Sequence, residues 1–162
     1  MARRTLDSKT KMRKLILILF VFLTACLPTK SVFGEQEVRL IEHYDMHFVN
    51  VEINGHPTKL LIDTGASKSI LDVSQADDFG FSYALFSTNQ YVGIGGLQDI
   101  YVVYDYKIDG IFVSFLGADL SEVRGFFELT GISIVGILGS DFLEIHNCKI
   151  DFNKNILYYN GK

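Results

Sequence analysis

A chain of 162 residues is long enough for one compact domain and too short for two. Its hydrophobic content of 48% and aromatic content of 13% exclude a disordered chain. The net charge of −4 understates the acidity of the body. Without residues 1–25 there remain 9 basic and 18 acidic residues, a charge of −9, which excludes nucleic acid as an electrostatic partner.

Residues 1–25 read as an export signal. A basic stretch (Arg3, Arg4, Lys9, Lys11, Arg13, Lys14) leads into an apolar run over residues 15–23 that is too short to span a bilayer. The run ends in Leu23-Thr24-Ala25-Cys26, which resembles the lipobox of bacterial lipoproteins and implies a lipid anchor on Cys26. The alternative is ordinary secretion, with cleavage after Gly34. Met12 is a second plausible start, since Met12-Arg13-Lys14 gives a more compact basic region. Residues 26–36 carry turn formers without periodicity and fit a tether, and the domain then runs over 37–162.

Residues 48–53 alternate apolar and polar, Asn54-Gly55 is a type I′ turn signal, and residues 58–62 return, which predicts a β-hairpin. A short helix is expected over residues 71–79, with Asp72 as cap, Gln75 three residues on and Gly80 past its end. A second strand pair (residues 89–92 and 97–106) flanks Gly93-Ile94-Gly95-Gly96. Asp109-Gly110 signals another turn, before a strand over 111–115. A dense apolar strand follows over 132–138, then a short helix over 140–146 with Ser140 as cap. Two closing strands (148–152 and 156–159) turn through Asn153-Lys154-Asn155. The fold class is mainly β with one or two short helices, closed as a small barrel or sandwich.

The segment that carries chemistry is Leu60-Leu61-Ile62-Asp63-Thr64-Gly65-Ala66-Ser67, an apolar strand that ends in an acid. A carboxyl buried at such a point costs several kcal/mol unless it is hydrogen-bonded, and proteins keep that cost where the group has work to do. Here the sequence resembles the aspartic protease signature, and most closely that of the single-domain retropepsins. Ile137-Leu138-Gly139 resembles the family's hydrophobic-hydrophobic-Gly element, and Gly93-Ile94-Gly95-Gly96 lies where the family places its flap hairpin.

The resemblance implies a closed-barrel acid protease fold and an aspartic endopeptidase acting on extended polypeptides. Two Asp63 carboxyls, one per subunit, would share a proton and activate a water, with no metal or cofactor. It implies that Thr64 bonds across the dimer and that Ser67 bonds its own Asp63. Gly65, which needs no room for a side chain, would offer its N–H to that carboxylate. Ala66, Ile137, Leu138 and Gly139 support the loop, and residues 93–96 cover the substrate. No second Asp-Thr-Gly or Asp-Ser-Gly exists in the chain, so a homodimer is the simplest way to complete the pair.

Rival readings are a non-catalytic peptide-binding protein on the same fold and a structural cell-envelope lipoprotein. Gly93–Gly96 also fits an ordinary glycine-rich turn, and as a phosphate cradle it fails for want of Lys-Ser/Thr and a following helix. His43 and His47 share a face only in a helix, and their stretch alternates like a strand, so His43, His47, His56 and His146 read as solvated surface residues. Cys148 reads as a buried small hydrophobe, Tyr101, Tyr104 and Tyr106 as strand packing, and Asp77-Asp78 as a solvated helix end.

Overall fold

The computed structural model describes residues 35–93, 96–109 and 114–161. Among the described residues, eleven strands form one hydrogen-bonded sheet. They are β1 (Glu35–His43), β2 (Met46–Ile53), β3 (His56–Ile62), β4 (Ile70–Asp72), β5 (Ser82–Gly93), β6 (Gly96–Tyr104), β7 (Ile108–Asp109), β8 (Leu116–Ala118), β9 (Gly136–Leu138), β10 (Lys149–Asp151) and β11 (Ile156–Asn160). Short helices accompany them among the described residues: α1 (Ala76–Phe79), α2 (Ser121–Leu129) and α3 (Ser140–Ile145). The mainly β class expected from the sequence holds.

The expected closure does not. The ladder follows an open path, β10-β11-β1-β2-β3-β9-β4-β8-β6-β5, with β7 paired to β2. β5 and β10 end the path because β5 pairs only with β6 and β10 only with β11 among the described residues.

The Asn54-Gly55 turn joins β2 and β3 with φ of 50° and 86°, the left-handed pair that a type I′ turn requires. Asn54 also ties this corner to two distant loops. Its side-chain Nδ2 donates to the carbonyls of Phe79, Gly80 and Asp105, and its Oδ1 accepts from the Lys107 amide.

Burial along β2 departs from simple alternation. Val49, Val51 and Ile53 point into the main core, yet Phe48 is buried as well, on the opposite face. Its cover is α2: the Phe48 and Phe127 rings meet edge to face at 5.4 Å, with Ile132 and Ile134 beside them.

Helix α2 over Ser121–Leu129 is unexpected, although Val123, Phe126 and Phe127 stand at helical spacing. The exit of α2 explains its stability. Gly131 adopts φ 86°, its N–H donates to Glu128 O at 3.0 Å, and the Ile132 N–H donates to Phe127 O at 3.1 Å. That is a Schellman motif with its apolar contact between Ile132 and Phe127. The same bonds shorten the strand expected over 132–138 to Gly136–Leu138, because residue 132 is held at the helix end.

Other expectations need smaller changes. Residues 71–79 divide into the end of β4, a 3₁₀ turn (Val73–Gln75) capped by Asp72, and α1, which stops at Gly80 in the left-handed region. α3 begins as expected, but its N-cap is Gly139, which is extended (φ −92°, ψ −177°), so Ser140 is the first helical residue. The strand expected over 148–152 is shorter, Lys149–Asp151. β1 starts at Glu35, at the end of the segment read as a tether, and pairs with β11 and β2. Residues 110–113, with most of the strand expected there, lie outside the described residues, as do Cys26 and residues 1–25. Among the described residues no helix is long and apolar enough to cross a membrane.

Candidate active site

Three strands converge on one loop. β9 lies between β3, its parallel neighbour, and β4, its antiparallel one, so Ile62 pairs with Leu138 and Ile70 with Ile137. The chain leaves β3 at Asp63 and re-enters the sheet at Ile70. The loop between them is thereby held by Ile137-Leu138-Gly139, the element that the sequence analysis set beside it. The Asp63 amide donates to Leu138 O at 3.1 Å, and the Ala66 amide closes the turn on Asp63 O at 3.2 Å.

The Asp63 side chain is half-buried. Its Oδ1 accepts the Gly65 N–H at 2.8 Å, and Oδ2 takes no hydrogen bond from any described residue. A Cβ on Gly65 would sit 3.1 Å from Oδ1, a tight approach that a bare glycine avoids. Thr64 and Ser67 are exposed on the same loop.

Gly139 is required by a closer contact. A Cβ there would stand 2.6 Å from the backbone carbon and oxygen of Lys68 and 2.9 Å from Ala66 O. None of those atoms can swing aside without moving the loop. Gly139→Ala should therefore cost about 1–3 kcal/mol in thermal unfolding and shift the Asp63 loop. An unchanged melting temperature would refute the tight fit.

Two residues that the sequence analysis passed over lock this loop from behind. Ser69 is fully buried; its Oγ donates to Asp141 Oδ1 at 2.7 Å and accepts the Gly139 N–H at 3.0 Å. Asp141 Oδ2 accepts the Ser69 amide at 3.1 Å, while Oδ1 also takes the Phe142 N–H at 2.8 Å. The carboxylate thus joins the start of α3 to the base of the Asp63 loop. The two residues are 72 positions apart, and no local pattern links them.

Asp63 opens onto a cavity of about 560 Å³. Met46, Leu61, Ile62 and Ile137 form its sheet side, and Glu122, Val123, Phe126 and Phe127 of α2 form the other. α2 is fixed by Asp72, only 1% exposed. Asp72 Oδ1 accepts from the Leu120 amide at 3.0 Å and from Ser74 N and Oγ; Oδ2 accepts from Arg124 Nε at 3.1 Å and Gln75 Nε2 at 3.3 Å. Hydrogen bonds to Glu128 and Asp72 raise the Arg124 pKa, and a hydrogen bond from Ser121 holds the Asp119 carboxyl below the usual range.

The flap candidates are partly described. Gly93 and Gly96 face each other as the last described pair of the β5–β6 ladder. Ile94 and Gly95 lie outside the described residues. The hairpin is longer than predicted, from Ser82 to Tyr104, with register shifts between Leu85 and Tyr91.

The residues set aside keep structural roles. His43 and His47 lie on adjacent strands, and His43 Nε2 contacts Thr130 O at 3.0 Å. His146 corrects the expectation of a solvated histidine: it is 5% exposed, contacts Asn160 O through Nδ1 and stacks on Phe142. Cys148 packs partly buried against the main core, and burial pushes its thiol up to about 11, which leaves little thiolate for nucleophilic chemistry near neutral pH. Tyr101 packs edge to face on Tyr83 of the paired strand, as expected, whereas Tyr106 meets Phe115 edge to face outside the strands and Tyr104 is exposed.

Residues 49–145 match the family model described as gag-polyprotein putative aspartyl protease. The UBA domain-containing protein Mud1 of Schizosaccharomyces pombe is 33% identical over 119 residues, covering 72% of this chain and 34% of that protein. The DNA damage-inducible protein 1 of Cryptococcus neoformans is 31% identical over 118 residues, covering 72% of this chain and 26% of the relative. The chain therefore spans about a third or less of those relatives' length. The crystal structure of a retropepsin-like aspartic protease from Rickettsia conorii superposes with a TM-score of 0.45 at 20% identity, covering 78% of this chain and 90% of that one.

Proposed function

Since the chain belongs to the gag-polyprotein aspartyl protease family, of retropepsin type, we propose that it is an aspartic endopeptidase built from two copies, each supplying one Asp63. The observation that carries this reading is the state of that carboxyl. One oxygen is held by the Gly65 N–H, and the other is unclaimed among the described residues at the mouth of an apolar cavity. A second carboxyl brought to the free oxygen across a two-fold axis would share a single proton with it, since two like charges about 3 Å apart cannot both ionise.

The ionised member takes a proton from the attacking water, and the protonated member donates to the carbonyl oxygen. Thr64, exposed beside Asp63, is available to bond the opposite loop. The β5–β6 hairpin covers an extended polypeptide, whose backbone pairs in strand fashion. This chemistry calls for no metal or cofactor, and cleavage should favour acidic pH because the pair must keep its one proton.

An export signal over residues 1–25 and a lipid carrier at Cys26 support a location in the cell envelope. Loss of fatty-acid labelling in Cys26→Ser is the test of that part.

Dimer dependence is the direct test of the catalytic part. Specific activity on a casein-like substrate should fall as the protein is diluted through its monomer–dimer transition, and a statine-type inhibitor should block what remains. Specific activity that stays constant in a demonstrated monomer would overturn the shared site. A demonstrated dimer inert across acidic pH would favour the peptide-binding reading.

A further inference from the structure

We propose that Glu122 makes the cavity beside Asp63 a subsite for a basic side chain, so that the enzyme prefers substrates with lysine or arginine at that position. The inference rests on the protease reading above and concerns the substrate class of the same cavity.

The walls are apolar: Leu61 and Ile137 from the sheet, Val123 and Phe126 from α2. Against them stand the carboxyls of Asp63 and Glu122, and among the described residues no Lys, Arg or His lines the space. Glu122 and Phe126 are four residues apart on α2 and so share a helix face. Glu122 is exposed and forms no hydrogen bond or ion pair with any described residue.

Its neighbours on α2 differ. Glu128 is bound to Arg124 at 2.8 Å, and Arg124 is bound in turn to Asp72. The helix's one basic residue is thus committed to other carboxylates, and Glu122 is left to meet a cation from outside.

A lysine or arginine suits this arrangement in both its parts. Its aliphatic stem packs along Phe126 and Val123, while the charged head reaches the carboxylate at the rim. An unbranched apolar side chain of the same length fills the walls but gains nothing from Glu122. An acidic one is repelled by both carboxyls. A partly solvated ion pair of this kind is worth about a 2–5-fold preference.

The test uses the full-length protein at pH 5. Peptides identical except for lysine, norleucine or glutamate at one position are compared at each position flanking the scissile bond. At one position the wild type should show a lysine-to-norleucine ratio of kcat/KM of about 2–5. The ratio should fall to near one in Glu122→Gln and below one in Glu122→Lys, with helix content checked by circular dichroism. A ratio unmoved by both substitutions, with cleavage intact, overturns the inference and leaves the protease reading standing. Failure of a demonstrated wild-type dimer to cleave any of the peptides overturns both.

Discussion

Asp63→Asn should lower kcat by at least about 10⁴-fold while the protein stays folded and dimeric. The substitution is nearly isosteric, and its Oδ1 can still accept the Gly65 N–H that now binds at 2.8 Å. What it removes is the ability to take a proton from water. The loop bonds, Asp63 N to Leu138 O and Ala66 N to Asp63 O, use backbone atoms and should persist, so the melting temperature should barely move. A stronger form of the experiment mixes chains. If each site needs one carboxyl from each of two copies, a threefold excess of the Asp63→Asn chain leaves only about a quarter of wild-type chains in wild-type pairs. Activity per wild-type chain should fall to that level after exchange. Activity unaffected by the excess would mean that one chain holds a complete site, and the shared-pair mechanism would be wrong.

What could be read in the sequence and what could not divides along sequence distance. The Asp63 loop was legible because its features are local: an apolar strand, an acid, a glycine that must be bare. The Asn54-Gly55 turn was legible for the same reason, since left-handed φ values at both positions select those residue types.

The locks on the loop were not legible. Ser69 sits unmarked between Lys68 and Ile70, and its partner Asp141 is in a different element. Only the crossing of β4 and β9 brings them together. Gly136 illustrates the same limit: a Cβ there would collide with the Ile70 carbonyl, a constraint set wholly by the strand packed against it.

The missed α2 is a different case. Its spacing and its Thr130-Gly131 stop were present in the sequence, but Gly125 in its middle weakens the helical pattern. Tertiary contacts supply the rest, through Phe127 beneath Phe48 and the Asp72 bonds at the N-terminal end. The open ladder was hidden too, because pairing at the ends of a sheet depends on partners that no strand pattern names.

Asp72→Ala should be the most destabilising single substitution outside the hydrophobic core, at about 3–5 kcal/mol. The carboxylate is buried and accepts from four residues: Ser74, Gln75, Leu120 and Arg124. Alanine would leave the Leu120 amide and the Gln75 amide group buried without that acceptor, and would strip Arg124 of one of its two carboxylate partners. Glu128 still holds the guanidinium and Gln75 still reaches Ile134 O, which places the loss toward the lower end of the range. For a domain of this size the melting temperature should fall by about 10 °C or more.

The functional consequence follows from where the bonds lead. Leu120 and Arg124 flank the residues of α2 that wall the cavity, so their release should loosen Val123 and Phe126 against Leu61 and Ile137. Substrate binding should suffer before the chemistry of Asp63 does. Below the new melting temperature KM should rise several-fold with a smaller change in kcat. Arg124→Met, which leaves the carboxylate in place with its other donors, should cost less in stability and raise KM in the same direction. Equal stability of the Asp72→Ala and wild-type proteins would show that the buried carboxylate is not what holds α2 against the sheet.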